Sequence, residues 1–409
     1  MSRSPRSNVR RLAVGRLISV TGGAGAYTAL MFTVWHQTHS ATWQSAALLL
    51  TFGVVGILSP LTGHLGDRFD RRRVMILSES IAAAVFFVMA FVRGPATLIG
   101  LAFVSAMAES PFYSASSAAI PNLVERSEDI AWANSLLGLG RNAGIMLGPV
   151  VGGVLLSALG GSSWVFAING LTFVASVLLT VSVRADYSRE HSAEEREEHQ
   201  GVMAGLRFIW RDRPLRVMVI AWTVFLLGAG MGMVADAPLA ELFDAGSAGF
   251  GLLIACWGLG SVLGSLLGRK LTQRTEPVWL VGGAAGIALA GLGIAFAPSF
   301  GFVLVCLLVM GASDGISIVA EQGIMMRRSP DAVRSRVMAG FDALLSLGIA
   351  IAYVFAGPVL EAVGPKGVYG VGGVSAAIAA VLLLPILRLR RAAPLDVGMG
   401  GVLAPSDLV

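Results

Sequence analysis

Apolar runs of bilayer-spanning length, parted by short polar turns, recur from one end of the chain to the other. A helix needs ~20 residues to cross ~30 Å of hydrocarbon. About twelve runs meet that length, near 12–35, 44–63, 74–93, 96–118, 133–157, 162–183, 215–237, 247–268, 277–297, 300–325, 336–358 and 366–388. The pattern predicts an all-α membrane protein with twelve transmembrane helices. The longest polar stretch, Arg184 to Arg213, splits them six and six. This divides the chain into an N-terminal bundle (1–183), a linker (184–214), a C-terminal bundle (215–391) and a tail (392–409). Within the linker, Glu194-Glu195-Arg196-Glu197-Glu198 suits a solvated helix with charge pairs at i, i+3 and i+4. Phe208, Ile209 and Trp210 suit the headgroup boundary.

The placement of arginine and lysine orients the spans. The N-terminal tail (Arg3, Arg6, Arg10, Arg11), Arg68 to Arg73, Arg126, the linker, Arg269 to Arg274, Arg327 to Arg336 and Arg388 to Arg391 fall in alternate connections. The opposite connections carry little more than Arg93 and Lys366. By the positive-inside rule both termini are cytoplasmic, in a multi-pass protein of the cell (inner) membrane. The first run is too long for a signal-peptide core, so it stays as an anchor.

Composition agrees: 55% of the 409 residues are hydrophobic and 13% charged, against ~25% charged in soluble domains. The net charge of +5 comes from loop arginines, so it reports topology rather than a nucleic-acid partner. Cys256 and Cys306 lie inside apolar runs and support neither a disulfide framework nor a metal site. His36 and His39 lack a nearby acid or cysteine in the sequence, which argues against a metal there. Gly138-Leu-Gly140 and Gly258-Leu-Gly260 lie in or at the mouth of membrane helices rather than after a soluble strand, so they are not phosphate loops. No cofactor is expected.

Two patterns repeat at an offset near two hundred residues. Pro121-Asn-Leu-Val leading to Gly148-Pro149 is echoed by Pro330-Asp-Ala-Val leading to Gly357-Pro358. The charged hairpin Gly63 to Arg73 has a weaker echo at Gly264 to Arg274. Duplicated membrane bundles are the architecture of secondary transporters, with the substrate site between the halves.

The hairpin reads Gly63-His-Leu-Gly66-Asp67-Arg68-Phe-Asp70-Arg71-Arg72-Arg73. It resembles the loop 2–3 signature of the major facilitator superfamily, Gly-x-x-x-Asp-Arg-x-x-Arg-Arg, with Asp70 where Gly is commonest. The resemblance extends over essentially the whole chain and implies a fold of two pseudo-symmetric six-helix bundles. It also implies gating roles for Gly63, Asp67, Arg68, Arg71 and Arg72, with Asp67 set against the start of helix 11 near Ser335 and Arg336, where the helix dipole favours an anion. Positive-inside retention competes as the reason for the arginines. Gly144-x-x-x-Gly148-Pro149-x-x-Gly152-Gly153 is similar to the antiporter signature of the superfamily's exporters, with Ser135 where a first glycine is usual. Glycines four apart admit a neighbouring helix and Pro149 removes a backbone donor. Generic helix packing is the competing account.

Ionisable residues inside spans are the functional candidates, because a charge there is costly unless it pairs or lines a cavity. Glu109 and Asp314 are the deepest acids and occupy matching places in the two halves. Either can load and release a proton, or remain a neutral acid that packs the bundle. Arg141 is the expected cation for Glu109, unless it snorkels to the surface. Asp236, Asp342, Glu321 and Glu79 are read as shallower, Asp236 and Asp342 meeting water. Gly22 is followed by Gly23 where many such exporters have an acid. Tyr27, Phe32, Trp222, Phe225 and Trp257 are candidates to line an amphipathic cavity.

The expectation is a secondary transporter, not an enzyme, that exports small hydrophobic or amphipathic compounds such as drugs or siderophores by proton antiport. Its partners are that substrate, protons and the bilayer, and it works as a monomer. A proton-coupled nutrient symporter, or a membrane sensor or scaffold without transport, are the alternatives.

Overall fold

The computed structural model describes residues 5–56, 58, 69–124, 128–183, 202–330 and 333–391. All regular structure among them is helical. The first bundle contains α1 (Pro5–Thr38), α2 (Ala41–Leu48, running on as a π-helical segment Leu49–Val54), α3 (Arg71–Met89), α4 (Pro95–Leu123), α5 (Glu128–Leu159) and α6 (Ser162–Ser182). A linker helix α7 (Val202–Arg211) leads to the second bundle. That bundle holds α8 (Arg213–Ala229), α9 (Gly232–Leu242), α10 (Gly246–Gly268), α11 (Glu276–Ala295), α12 (Phe300–Arg328) and α13 (Arg334–Leu383). Helices α8 and α9 form one span. Gly364, at φ 69° and followed by Pro365, folds α13 into two, because a side chain rarely adopts that left-handed conformation.

The helices start where the sequence supplies caps. Asp70 accepts the Arg73 amide at 2.8 Å, and Asp212 accepts that of Leu215 at 3.0 Å. Both carboxylates satisfy an amide that the first helical turn leaves unbonded. Asp212 also receives Arg328 through two nitrogens, at 2.7 and 3.0 Å, tying the linker to the end of α12. Ile209 is fully buried and Leu206 packs over Gly340. The amphipathic segment that the sequence places at the headgroup boundary thus rests with Ile209 on the second bundle; Trp210 stays exposed.

Burial shows how the bundles meet. At the face holding His39, Gly160 and Asp244, one continuous core joins Val34, Leu48, Phe86 and Phe166 to Val234, Leu239, Phe250 and Tyr353. Nearer the face where α1 begins, the cores are separate. Val9, Met75, Phe112 and Leu123 pack in the first bundle, and Ile209, Leu215, Phe341 and Leu383 in the second. The two halves are therefore joined at the His39 face and have their own cores at the terminal face.

Candidate functional site

The glycine signature of α5 builds the joint. A Cβ on Gly148 would lie 2.6 Å from the Thr21 carbonyl oxygen, and one on Gly152 would lie 2.5 Å from Gly25 Cα. Gly144 likewise abuts Val20 and Thr21. These three glycines seat α5 on α1, inside the first bundle. Gly153 turns to the other bundle, where a Cβ would come 2.6 Å from the Ser247 carbonyl oxygen. Gly251 meets the Pro149 carbonyl oxygen reciprocally at 2.6 Å. Consecutive helical residues point about 100° apart, so Gly152 and Gly153 serve different seams.

At a second inter-bundle seam a Cβ on Gly357 would lie 3.3 Å from the Ala41 backbone, and one on Gly53 would lie 3.3 Å from Ala350 Cβ. Over both seams at the His39 face, Glu241 of α9 accepts from the Trp35 indole and lies 3.7 Å from His39 Nδ1. Glu241 is the acid that His39 lacks in sequence. It was absent from the candidates because the chain separates it from His39 by two hundred residues.

Widening the first seam has a readable consequence. Gly153→Val puts a branched side chain against backbone, where overpacking costs roughly 1–3 kcal/mol, and only in the joined arrangement. Spin labels at Gln37 and Asp244, with Cys256 and Cys306 replaced by alanine, are expected to report a longer distance in Gly153→Val than in its parent. An unchanged distribution would show that this contact does not hold the face together.

Inside the first bundle the structure gathers three charges. Glu109, fourteen residues into α4, accepts from Ser105 Oγ at 3.0 Å. Glu79 accepts from Ser176 Oγ at 2.6 Å and is 1% exposed. The expectation that Glu79 sits at the rim is corrected: it stands eight residues, about 12 Å, into α3, on the face that packs against α6. The positive charge acting on both acids is that of Arg16 in α1. Arg141, the expected cation for Glu109, is exposed and lines a cavity beside Arg16. Arg16 was overlooked, although an arginine well inside the first apolar run is costly enough in hydrocarbon to be a signal.

The second bundle holds a group of acids instead. Asp314 stands fourteen residues into α12, the same station as Glu109 in α4. Its charge and that of Asp342 act on Glu321, which is half-buried seven residues before the end of α12. Asp342 is exposed, as expected. Asp236 is not the water-facing group of the sequence analysis. Residues around it on α9, among them Ala235, Ala237 and Leu239, are buried in the joint core, and Tyr369 donates its hydroxyl to Asp236. Its charge also acts on Tyr27 and Tyr353, and Tyr353 donates to Met233 Sδ at 3.1 Å.

Other candidates scatter. Gly63, Asp67 and Arg68 lie outside the described residues. Arg72 donates to the Val181 carbonyl at 2.8 Å, holding α3 to the end of α6, and Arg71 is buried. Trp222 packs in the core of the second bundle against Phe225. Phe32 stacks on His36 and lines a cavity at the His39 face, while Tyr27 packs edge-on to Phe52.

Comparison with known proteins agrees with this architecture. The transmembrane secretion effector family matches residues 16–398. The enterobactin exporter EntS of Shigella boydii serotype 18 is 26% identical over 402 residues, covering 93% of this chain and 92% of that one. The EntS of Escherichia coli O1:K1 matches to the same extent. Among solved structures, a bacterial homologue of the human lysosomal transporter Spinster, in an inward-facing and unoccupied conformation, superposes with a TM-score of 0.71 at 16% identity, covering 95% of this chain and 97% of that one. An inward-facing bacterial homologue of ferroportin gives 0.71 at 16% identity, covering 94% and 100%. A family match that begins at Arg16 and runs through both bundles, on a helical architecture joined at one face, makes this chain a member of the transmembrane secretion effector family of major facilitator transporters.

Proposed function

We propose that this transporter exports small amphipathic compounds by proton antiport, with both termini in the cytoplasm of a bacterial-type cell, the six-helix halves 1–183 and 215–391 rocking about the central site, and the monomer as the working unit. The observation that carries the reading is the separation of titratable groups between the halves. Glu79 and Glu109 share the charge of Arg16 in one, and the charges of Asp342 and Asp314 act on Glu321 in the other. A carboxylate enclosed in a membrane protein gains from exchanging its charge for a proton, and the part of the molecule that would move past it is the other bundle. The joined His39 face and separate cores at the terminal face fit a state open to the cytoplasm. The EntS relatives are named enterobactin exporters, which supports the direction.

Energy suffices. One proton crossing ~100 mV releases ~2.3 kcal/mol, enough to sustain a substrate gradient of about fiftyfold. Inverted membrane vesicles containing the protein are expected to accumulate siderophores or amphipathic drugs when the lumen is acid, and to lose that accumulation when a protonophore is added. Accumulation that persists after the gradient is collapsed would refute proton antiport. Inward accumulation by whole cells would replace it with symport.

A further inference from the structure

Two arginines line one cavity of about 310 Å³ in the first bundle, Arg16 and Arg141, together with Tyr113, Ser116, Asn134 and Leu137 among others. Arg16 is only 9% exposed, and neither it nor Arg141 has a carboxylate within ion-pairing distance among the described residues. The Arg16 guanidinium instead lies over aromatic faces, 5.0 Å from the centre of Phe112 and 4.1 Å from that of Tyr113. Arg141 lines the same space from α5, less than one turn before the Gly144 to Gly153 seam. Each charge stands well inside its helix, where an arginine costs roughly 2.5–3.5 kcal/mol on insertion scales. Two such charges lining one cavity, with no carboxylate at ion-pairing distance among the described residues, leave a positive potential there that an anion would complete.

Glu79 and Glu109 balance Arg16 only at longer range, and each already has a serine hydroxyl on its own oxygen. The remaining surface has apolar stretches from Ile120, Leu137 and Gly138, next to the Tyr113 ring. Planar forks of N–H donors suit a carboxylate or another flat oxyanion, and the aromatic and aliphatic walls suit a flat apolar body.

We propose that this cavity is the substrate subsite and that it takes an amphipathic aromatic anion, an acidic group held between Arg16 and Arg141 with the ring system along Tyr113 and Leu137. The proposal rests on the transport reading for its physiological meaning, but the binding it asserts is separable. It commits the transporter to acidic rather than cationic amphiphiles. It also gives Arg141 a task other than neutralising Glu109.

The test uses full-length protein in nanodiscs of zwitterionic lipid, with radiolabelled naphthoate and, as a probe of similar shape and opposite charge, naphthylmethylammonium. Saturable naphthoate binding with no saturable naphthylmethylammonium binding is the expected result, and the reverse preference would overturn the proposal without any variant being made. Arg141→Gln, at an exposed position, is expected to weaken naphthoate tenfold or more at unchanged thermal stability, and Arg16→Gln to weaken it as much while also lowering stability, because it strips the buried acids of their cation; Arg10→Gln, exposed near the start of α1, leaves binding unaltered. Equal affinity in all three would also overturn it. Displacement of naphthoate by added phosphatidylglycerol would reassign the anion site to a lipid headgroup and remove the substrate claim. The outcomes separate from those of the vesicle assay. Naphthoate binding without proton-driven accumulation keeps the site and discards the antiport, whereas drug export without naphthoate binding does the opposite.

Discussion

Gly152→Val is expected to leave no stable transporter. The added side chain would project into the Gly25 backbone, where even its first carbon would lie 2.5 Å from Gly25 Cα and closer still to the Gly25 carbonyl oxygen. A flexible neighbour could swing aside; a helix backbone cannot. Overpacking a core costs ~1–3 kcal/mol when side chains absorb the insult, and here α1 and α5 must separate along the seam that also holds Gly144 and Gly148. Purified Gly152→Val should show a melting temperature lower by many degrees, or fail to appear in the membrane. Gly100→Ala is the matched control, because a Cβ there meets nothing within 4 Å and replacing glycine inside a helix stabilises by roughly 0.5–1 kcal/mol. A Gly152→Val protein that melts with its parent would refute the packing account of the signature.

Removing the carboxylates should have the second large effect, on coupling rather than on folding. Glu109→Gln alone leaves Glu79 beside Arg16, so the full effect needs Glu79→Gln with Glu109→Gln, and Asp314→Asn tests the other half. Glutamine and asparagine keep the shape and can still accept from Ser105 and Ser176, whereas they cannot carry a proton away. The expected outcome is collapse of the acid-lumen accumulation, from a ceiling of about fiftyfold to unity, with downhill exchange of substrate preserved. If neutralised variants accumulate substrate as the parent does, these acids are packing groups and the proton travels elsewhere.

Much of the architecture was legible because a bilayer is a demanding solvent. A backbone inside hydrocarbon must satisfy its own hydrogen bonds, so apolar runs of sufficient length become helices whatever their neighbours. Short caps such as Asp70 and Asp212 then mark where helices begin. The pairing of Glu109 with Asp314 by station was equally visible, since duplication keeps register between Pro95 and Glu109 and between Phe300 and Asp314. Partnership across helices was not. Hydropathy treats Arg16 as one polar interruption of an apolar run, and nothing local indicates that α1 carries it to Glu79 and Glu109. The same limit explains Asp236, which lies toward the end of its run but whose helix packs into a core shared by both halves.

The amino-acid order alone determined that this is an all-helical membrane protein of twelve spans in two related halves, and that α5 must lie close against other helices. Those properties follow from length, apolarity and glycine spacing, which act within a single segment. Only the tertiary structure decided which helix each glycine admits, that Arg16 rather than Arg141 serves the buried acids, that Glu241 closes over His39, and that the halves are joined at one face. Each depends on how helices rotate and cross when they bury their sides, and a turn of about 100° per residue sends neighbouring positions such as Gly152 and Gly153 to different partners.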